Sequence, residues 1–200
     1  MASKERIQRL KEETRVKILE ASLDIVKEEG WQSLSMRKIA DKIEYTAPII
    51  YEYFANKDDI LSVLTRQGFI KLAREMDEAS KAYSAPAAQL EAMWLAYWNF
   101  AFANKELYQV MYGVEMNCCV FENSCPDIQG PSNLFWDKIT ELVPEENRTE
   151  EYICTKYYTF WSVMHGLISI NMTRQTRQAS DEINKQVLKD ALSGIINSMK

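Results

Sequence analysis

The chain has 200 residues, 46% of them hydrophobic and 26% charged, enough for one sizeable core or for a small head and a larger body. Six Gly and five Pro are few for a loop-rich β protein, and the many Leu, Ile, Ala, Glu and Lys point to an all-α fold. Polar residues interrupt every apolar stretch before it could cross a membrane, and residues 1–13 are charged with no apolar signal core, so a cytoplasmic protein is expected.

The formal net charge of −5 is unevenly spread. Residues 1–42 hold ten Lys or Arg against eight Asp or Glu, and the remainder holds fourteen against twenty-one. The first seventeen residues are richer still, with Lys4, Arg6, Arg9, Lys11, Arg15 and Lys17 against three Glu. An acidic body with a mildly basic head suits contact with phosphate.

In chain order, the apolar spacing of Val16, Ile18, Leu19, Ala21, Leu23, Ile25 and Val26 predicts a first helix over Thr14–Glu29, closed at Gly30. Ser35 is a good N-cap for a second helix, Met36–Ile43, with Ile39, Ala40 and Ile43 inward. Thr46 is another, opening a short third helix, Ala47–Tyr53, with Pro48 in its first turn. Asn56 and Asp59 resemble a capping box opening a long connecting helix, Asp59 to about Tyr83. Pro86–Ala103 and Lys105–Val114 follow, the latter capped by Asn104. Asn117–Pro131 reads as a loop, and Ser132–Leu142, Thr149–Arg174 and Asp181–Met199 as three further helices, about nine in all. Three short helices, the second and third joined by a tight turn, are the layout of a helix-turn-helix, a spacing that other small helical bundles share.

The run from Thr14 to Leu64 resembles the N-terminal domain of the TetR family of bacterial repressors. The resemblance is carried by Ile18-Leu19-Glu20-Ala21, Gly30, Ser35 to Ala40, Ile50-Tyr51-Glu52-Tyr53-Phe54 and Asn56 to Leu61. The Tyr-Glu-Tyr-Phe segment followed by Asn-Lys before an acidic helix start is its most specific part. Asn104 to Tyr108 with Met111 resembles a second family helix, and Trp161 to Gly166 resembles the Trp–His–Gly signature of one C-terminal subgroup. The resemblance implies a helix-turn-helix head over residues 1–70, and a helical ligand-binding and dimerisation bundle over 71–200. It implies a homodimer that binds a palindromic double-stranded DNA operator through its third helices and is released by a small-molecule effector.

On that reading Ser35 and Arg37 in the second helix face DNA. Arg37 can bridge guanine O6 and N7 or contact a phosphate, and both readings stand. In the third helix the matching positions are Thr46, Ala47, Pro48, Ile49, Tyr51 and Glu52, with Tyr53 and Lys57 nearby. Tyr51 and Lys57 suit phosphate; Ala47, Pro48 and Ile49 suit thymine methyls. Ile50 and Phe54 are expected in the core of the head. Glu44 stands at a turn position often Gly in the family, so the turn is expected to be distorted or to accept φ below zero. Glu52 repels phosphate unless it accepts from a cytosine amino group.

In the body, Trp94, Tyr97, Trp98, Phe102, Tyr108, Met111 and Met116, with Tyr157, Phe160, Trp161 and Met164, suggest a cavity for an apolar or aromatic ligand or else a filled core. The ligand set taken from them is Trp94, Tyr97, Trp98, Phe102, Met111, Tyr157, Trp161, Met164 and His165. His165, the only histidine, could orient a ligand, though the subgroup resemblance favours a structural role. The stripe Ile183, Val187, Leu188, Ala191, Leu192, Ile195, Ile196 and Met199, with small Ser162, Gly166 and Ser169 before it, suits a four-helix dimer interface. Cys118, Cys119 and Cys125 lack strong zinc spacing and are read as free thiols, with a thiol- or metal-responsive regulator as the alternative. No cofactor, membrane partner or catalytic set is expected, and a helical protein-binding adaptor is the remaining alternative.

Overall fold

The computed structural model describes residues 2–113, 129–173 and 181–199. Among them are nine α-helices and no strand. They are α1 (Ala2–Glu29), α2 (Met36–Lys42), α3 (Ala47–Tyr51), α4 (Lys57–Ser80), α5 (Pro86–Ala103), α6 (Lys105–Tyr112), α7 (Gly130–Leu142), α8 (Glu150–Thr173) and α9 (Asp181–Asn197). Short 3-10 turns occupy Trp31–Ser33 and Glu145–Asn147. The chain divides into two compact units, residues 2–68 with 106–113 and residues 69–105 with 129–173 and 181–199.

In the first unit, α1 begins twelve residues earlier than its apolar stripe predicts. Residues 2–13 have no buried face to announce them; strong helix formers and an Arg9–Glu13 pair one turn apart sustain them instead. Ile18, Ser22, Ile25 and Val26 are buried against the rest of the head, while Val16 is exposed rather than part of that stripe. Gly30, at φ 82° and ψ 159°, follows α1 in an extended positive-φ conformation that is essentially glycine's alone. Ion pairs of Lys38 with Glu29 and Lys42 with Glu28 join α2 to the end of α1. The Ser35 hydroxyl accepts from the Lys38 amide at 3.3 Å, the expected cap. Thr46 precedes α3 in an extended conformation but makes no side-chain cap bond. Asn56 Oδ1 accepts from the Asp59 amide and caps α4, which starts at Lys57. Asp59 Oδ2 accepts from the Ala55 amide, one residue before the cap, so only the forward half of the expected capping box forms.

In the second unit α7 packs on α5, α8 on α7, and α9 on both α8 and α5. Gly130 and Pro131, expected in the preceding loop, lie in the first turn of α7, where a proline lacks nothing a helix needs. The rest of that expected loop, with Met116, Cys118, Cys119 and Cys125, lies outside the described residues, as does Arg174. Asn104 closes α5: its amide donates to the Phe100 carbonyl and its Oδ1 accepts from Lys71 Nζ. Asn171 on α8 and Asn184 on α9, both buried, exchange hydrogen bonds of 3.1 and 2.9 Å. Among the described residues no helix is long and apolar enough to cross a membrane.

Candidate nucleic-acid interface and ligand site

The joint between α2 and α3 sets the geometry of the head. Glu44 adopts φ 59°, and the amides of Glu44 and Tyr45 donate to the carbonyls of Asp41 and Ala40. That is a Schellman closure of α2 with a glutamate where glycine would be unstrained. The expectation of a distorted turn or of φ below zero at Glu44 is therefore corrected. The hydrogen bonds and the burial of Ile39, Ala40 and Ile50 hold the left-handed turn at a cost of about 1–2 kcal/mol.

α3 is a helix of five residues whose two sides differ sharply. Ile50, on α3, and Phe54, just beyond its end, are buried in the head as the sequence predicts. None of the ten candidate DNA-facing residues is buried. Arg37, Thr46, Pro48, Tyr51 and Glu52 are exposed; Ser35, Ala47, Ile49, Tyr53 and Lys57 are half-buried. The Arg37 side chain is 89% exposed, its guanidinium only loosely paired with Asp41 at 4.0 Å. Glu52 follows α3 as its C-terminal cap rather than standing inside the helix, which ends at Tyr51 and not at the expected Tyr53, and the amides of Tyr53 and Phe54 both donate to the Ile50 carbonyl. Behind this surface, Arg15 of α1 lays its guanidinium 4.7 Å from the centre of the Phe54 ring.

Eight of the nine ligand candidates lie in the second unit and Met111 in the first. Trp94, Tyr97, Trp98 and Met164 are buried in the second unit, with Trp161 and His165 half-buried beside them. Trp94 stacks on Phe135 at 4.3 Å and on Phe160 at 5.4 Å, and Trp161 lies 4.1 Å from the His165 ring. Tyr97 Oη and His165 Nε2 share a hydrogen bond of 2.8 Å. Burial pushes the His165 imidazole down to about 4 from its ordinary 6.5, so it is neutral at pH 7. Trp94 Nε1 is buried with no hydrogen-bond partner, a cost that natural interiors seldom leave unmet. Tyr157 is half-buried and donates to Ser132 Oγ at 3.0 Å. Phe102 lies against Trp98 but is 38% exposed, and Met111 belongs to the first unit, where it packs beside Gly68. Phe135 is the member the sequence reading missed. Its signal was the row Pro131, Phe135 and Ile139, buried at every fourth residue of α7.

The stripe expected on the last helix is two faces. Leu188, Leu192, Ile196 and Met199 are buried, as is Asn184, while Ile183 and Val187 are 56% and 47% exposed. On α8 the exposed residues Thr155, Thr159, Ser162, Gly166, Ser169 and Thr173 recur at spacings of three and four, one small-residue row along the helix. A Cβ added at Gly166 or Gly194 would meet no atom within 4 Å. Cys154 is a half-buried free thiol, and no cluster of three or more metal-ligating side chains occurs among the described residues.

Residues 18–64 match the family model described as bacterial regulatory proteins of the tetR family, and residues 90–191 match a tetracycline repressor-like C-terminal domain. An uncharacterized HTH-type transcriptional regulator of Haemophilus influenzae is 28% identical over 124 residues, which cover 60% of this chain and 62% of that protein. The transcriptional repressor KstR of Mycobacterium tuberculosis is 27% identical over 81 residues, 40% of this chain but only 37% of KstR. Among solved structures, the fatty acid degradation regulator FadR of Bacillus halodurans superposes with a TM-score of 0.71 at 14% identity, covering 93% of this chain and 96% of FadR. At that identity the likeness concerns the fold.

Proposed function

Since this chain belongs to the TetR family of bacterial regulatory proteins and is a transcriptional regulator, we propose that it is a repressor that binds a palindromic operator as a homodimer and is released by a small apolar or aromatic ligand. The observation that carries the DNA reading is the two-sided joint of α2 and α3. Ile50 and Phe54 anchor it from behind, and Arg37, Pro48 and Tyr51 stand outward. Arg37 supplies a guanidinium able to read guanine, worth roughly 1–3 kcal/mol of discrimination. Tyr51, 55% exposed, supplies a hydroxyl for phosphate. The repressor reading draws on the likeness to KstR.

The homodimer rests on the small-residue row of α8 and on the exposed Ile183 and Val187 of α9. Glycines with open space in their own chain let a second backbone approach closely. The ligand reading rests on Trp94 Nε1, a buried donor that an acceptor on an otherwise apolar molecule would satisfy among stacked aromatic rings.

Selecting fragments of the source genome retained by the protein tests this reading. Enrichment of an inverted repeat, with one protein dimer per fragment, is expected. Retention of no DNA even at low ionic strength would remove it.

A further inference from the structure

In the helical extension of α1 over residues 2–13, Arg6 and Arg9 share a side with the three glutamates, while Lys4 and Lys11 stand on a face of their own. One row of the helix, at spacings of seven, four, three, four and four, carries Lys4, Lys11, Arg15, Ile18, Ser22 and Val26. Ile18, Ser22 and Val26 on that row are fully buried in the head. The basic residues are thus the continuation, beyond the head, of the very face that packs against it. The row of Glu5, Glu12, Val16 and Glu20, roughly 100° round the helix, is exposed along its whole length. Glu13 lies on the outer side as well, paired with Arg9 at 3.5 Å.

The position of the basic row is fixed by Arg15, whose guanidinium sits over Phe54. Phe54 lies between Tyr51 and Lys57 in the chain, so the row leaves the head at the joint of α3 and α4. Lys11 and Lys4 then follow roughly 6 and 16 Å farther along the axis at 1.5 Å per residue. DNA carries a phosphate every 3.4 Å of axis on each strand, so two lysines about 10 Å apart can meet one strand at separate phosphates.

We propose that the Lys4–Lys11 face of α1 is a second DNA contact, gripping the phosphate backbone beside the segment that α3 reads. The occupant is chosen by charge: this face carries cations and no carboxylate, whereas the acidic row turns away from it. The contact adds affinity without sequence preference, because phosphates carry no base information. The inference rests on the DNA-binding reading of the α2–α3 joint.

The test compares the whole protein with Lys4→Ala/Lys11→Ala and Glu5→Gln/Glu12→Gln on a long random-sequence duplex over a salt series. All four side chains are exposed, so the variants should fold alike, which circular dichroism checks. The lysine variant should lower the slope of log K against log salt by roughly 3.6 per dimer, about 0.9 for each of the four phosphates no longer neutralised, while the glutamate variant keeps or raises affinity. A wild-type protein that binds, with a lysine variant of the same slope, overturns the second contact but leaves the α3 reading standing. Equal losses in both variants overturn the face assignment. If Ile7 and Leu10, both exposed, instead hold a second copy, the lysine variant changes the oligomeric state and not the slope, and the proposal fails. Wild-type protein that binds no duplex at any salt removes the DNA reading itself.

Discussion

Tyr97 on α5 and His165 on α8 are joined by a hydrogen bond of 2.8 Å between the phenol and Nε2, in an aromatic setting that keeps the imidazole uncharged. His165 is placed edge-on to Tyr97 and close to Trp161. Protonating it would set a charge among rings that cannot solvate it.

A pH dependence follows with a definite sign. The folded value near 4 lies below the ordinary 6.5, so between those values the unfolded chain binds more protons. The stability from a neutral His165 is complete above pH 6.5 and is lost as pH falls toward 4. Its full size is on the order of 3 kcal/mol, from about 1.4 kcal/mol per pH unit. Thermal melts of wild type and His165→Gln should converge as pH falls through this window. Parallel curves would show that His165 titrates normally.

The amide pair of Asn171 and Asn184 locks the register of α9 on α8. Asn184→Leu should destabilise the protein by about 1–3 kcal/mol, since the buried Asn171 amide loses its two bonds to that side chain. Asn171→Leu/Asn184→Leu should recover much of the loss, because neither amide is then left facing an apolar side chain in place of its partner. A double-mutant cycle by chemical denaturation measures this, and strictly additive losses would contradict it.

Glu44→Gly should stabilise the head. Relief of the left-handed strain, roughly 1–2 kcal/mol, outweighs the extra freedom glycine gives the unfolded chain, leaving a gain of about 0.5–1 kcal/mol. The melting temperature should rise by a few degrees. A fall would mean that the Glu44 side chain itself holds the turn.

How far the sequence could be read varies with the physics of each element. Helices with a buried stripe and a capping side chain were the most legible: α2 behind Ser35 ends one residue before its expected end, and α4 behind Asn56 lies within three residues of its expected bounds. The extension of α1 was not, because residues 2–13 face no core and so leave no apolar period. Thr46 shows that a capping residue type can occupy the right place without making the bond. In α9 the periodicity revealed apolar positions but not which of them meet their own chain; Val187 and Leu188 are neighbours with opposite fates. The aromatic cluster was legible as composition. Its assembly from α5, α7 and α8 depended on tertiary packing that no local spacing encodes.

Substituting Gly166 tests the dimer face. A Cβ there meets no atom of its own chain, so Gly166→Ile should keep the melting behaviour of an isolated subunit while converting the dimer to monomer in light scattering. A stable dimer in this variant would place the interface elsewhere.

The most direct test of the account is the affinity of Arg37→Ala and Tyr51→Ala for the operator fragment recovered from the genome. Both side chains are exposed and make no buried contact, so dimerisation and thermal stability should be unchanged. Each substitution should weaken binding by roughly tenfold or more, in line with 1–3 kcal/mol per specific contact, and Arg37→Ala should also relax preference at one base pair if it reads guanine. Wild-type affinity in both variants would contradict the account, because the α2–α3 surface would then not be where this protein meets DNA.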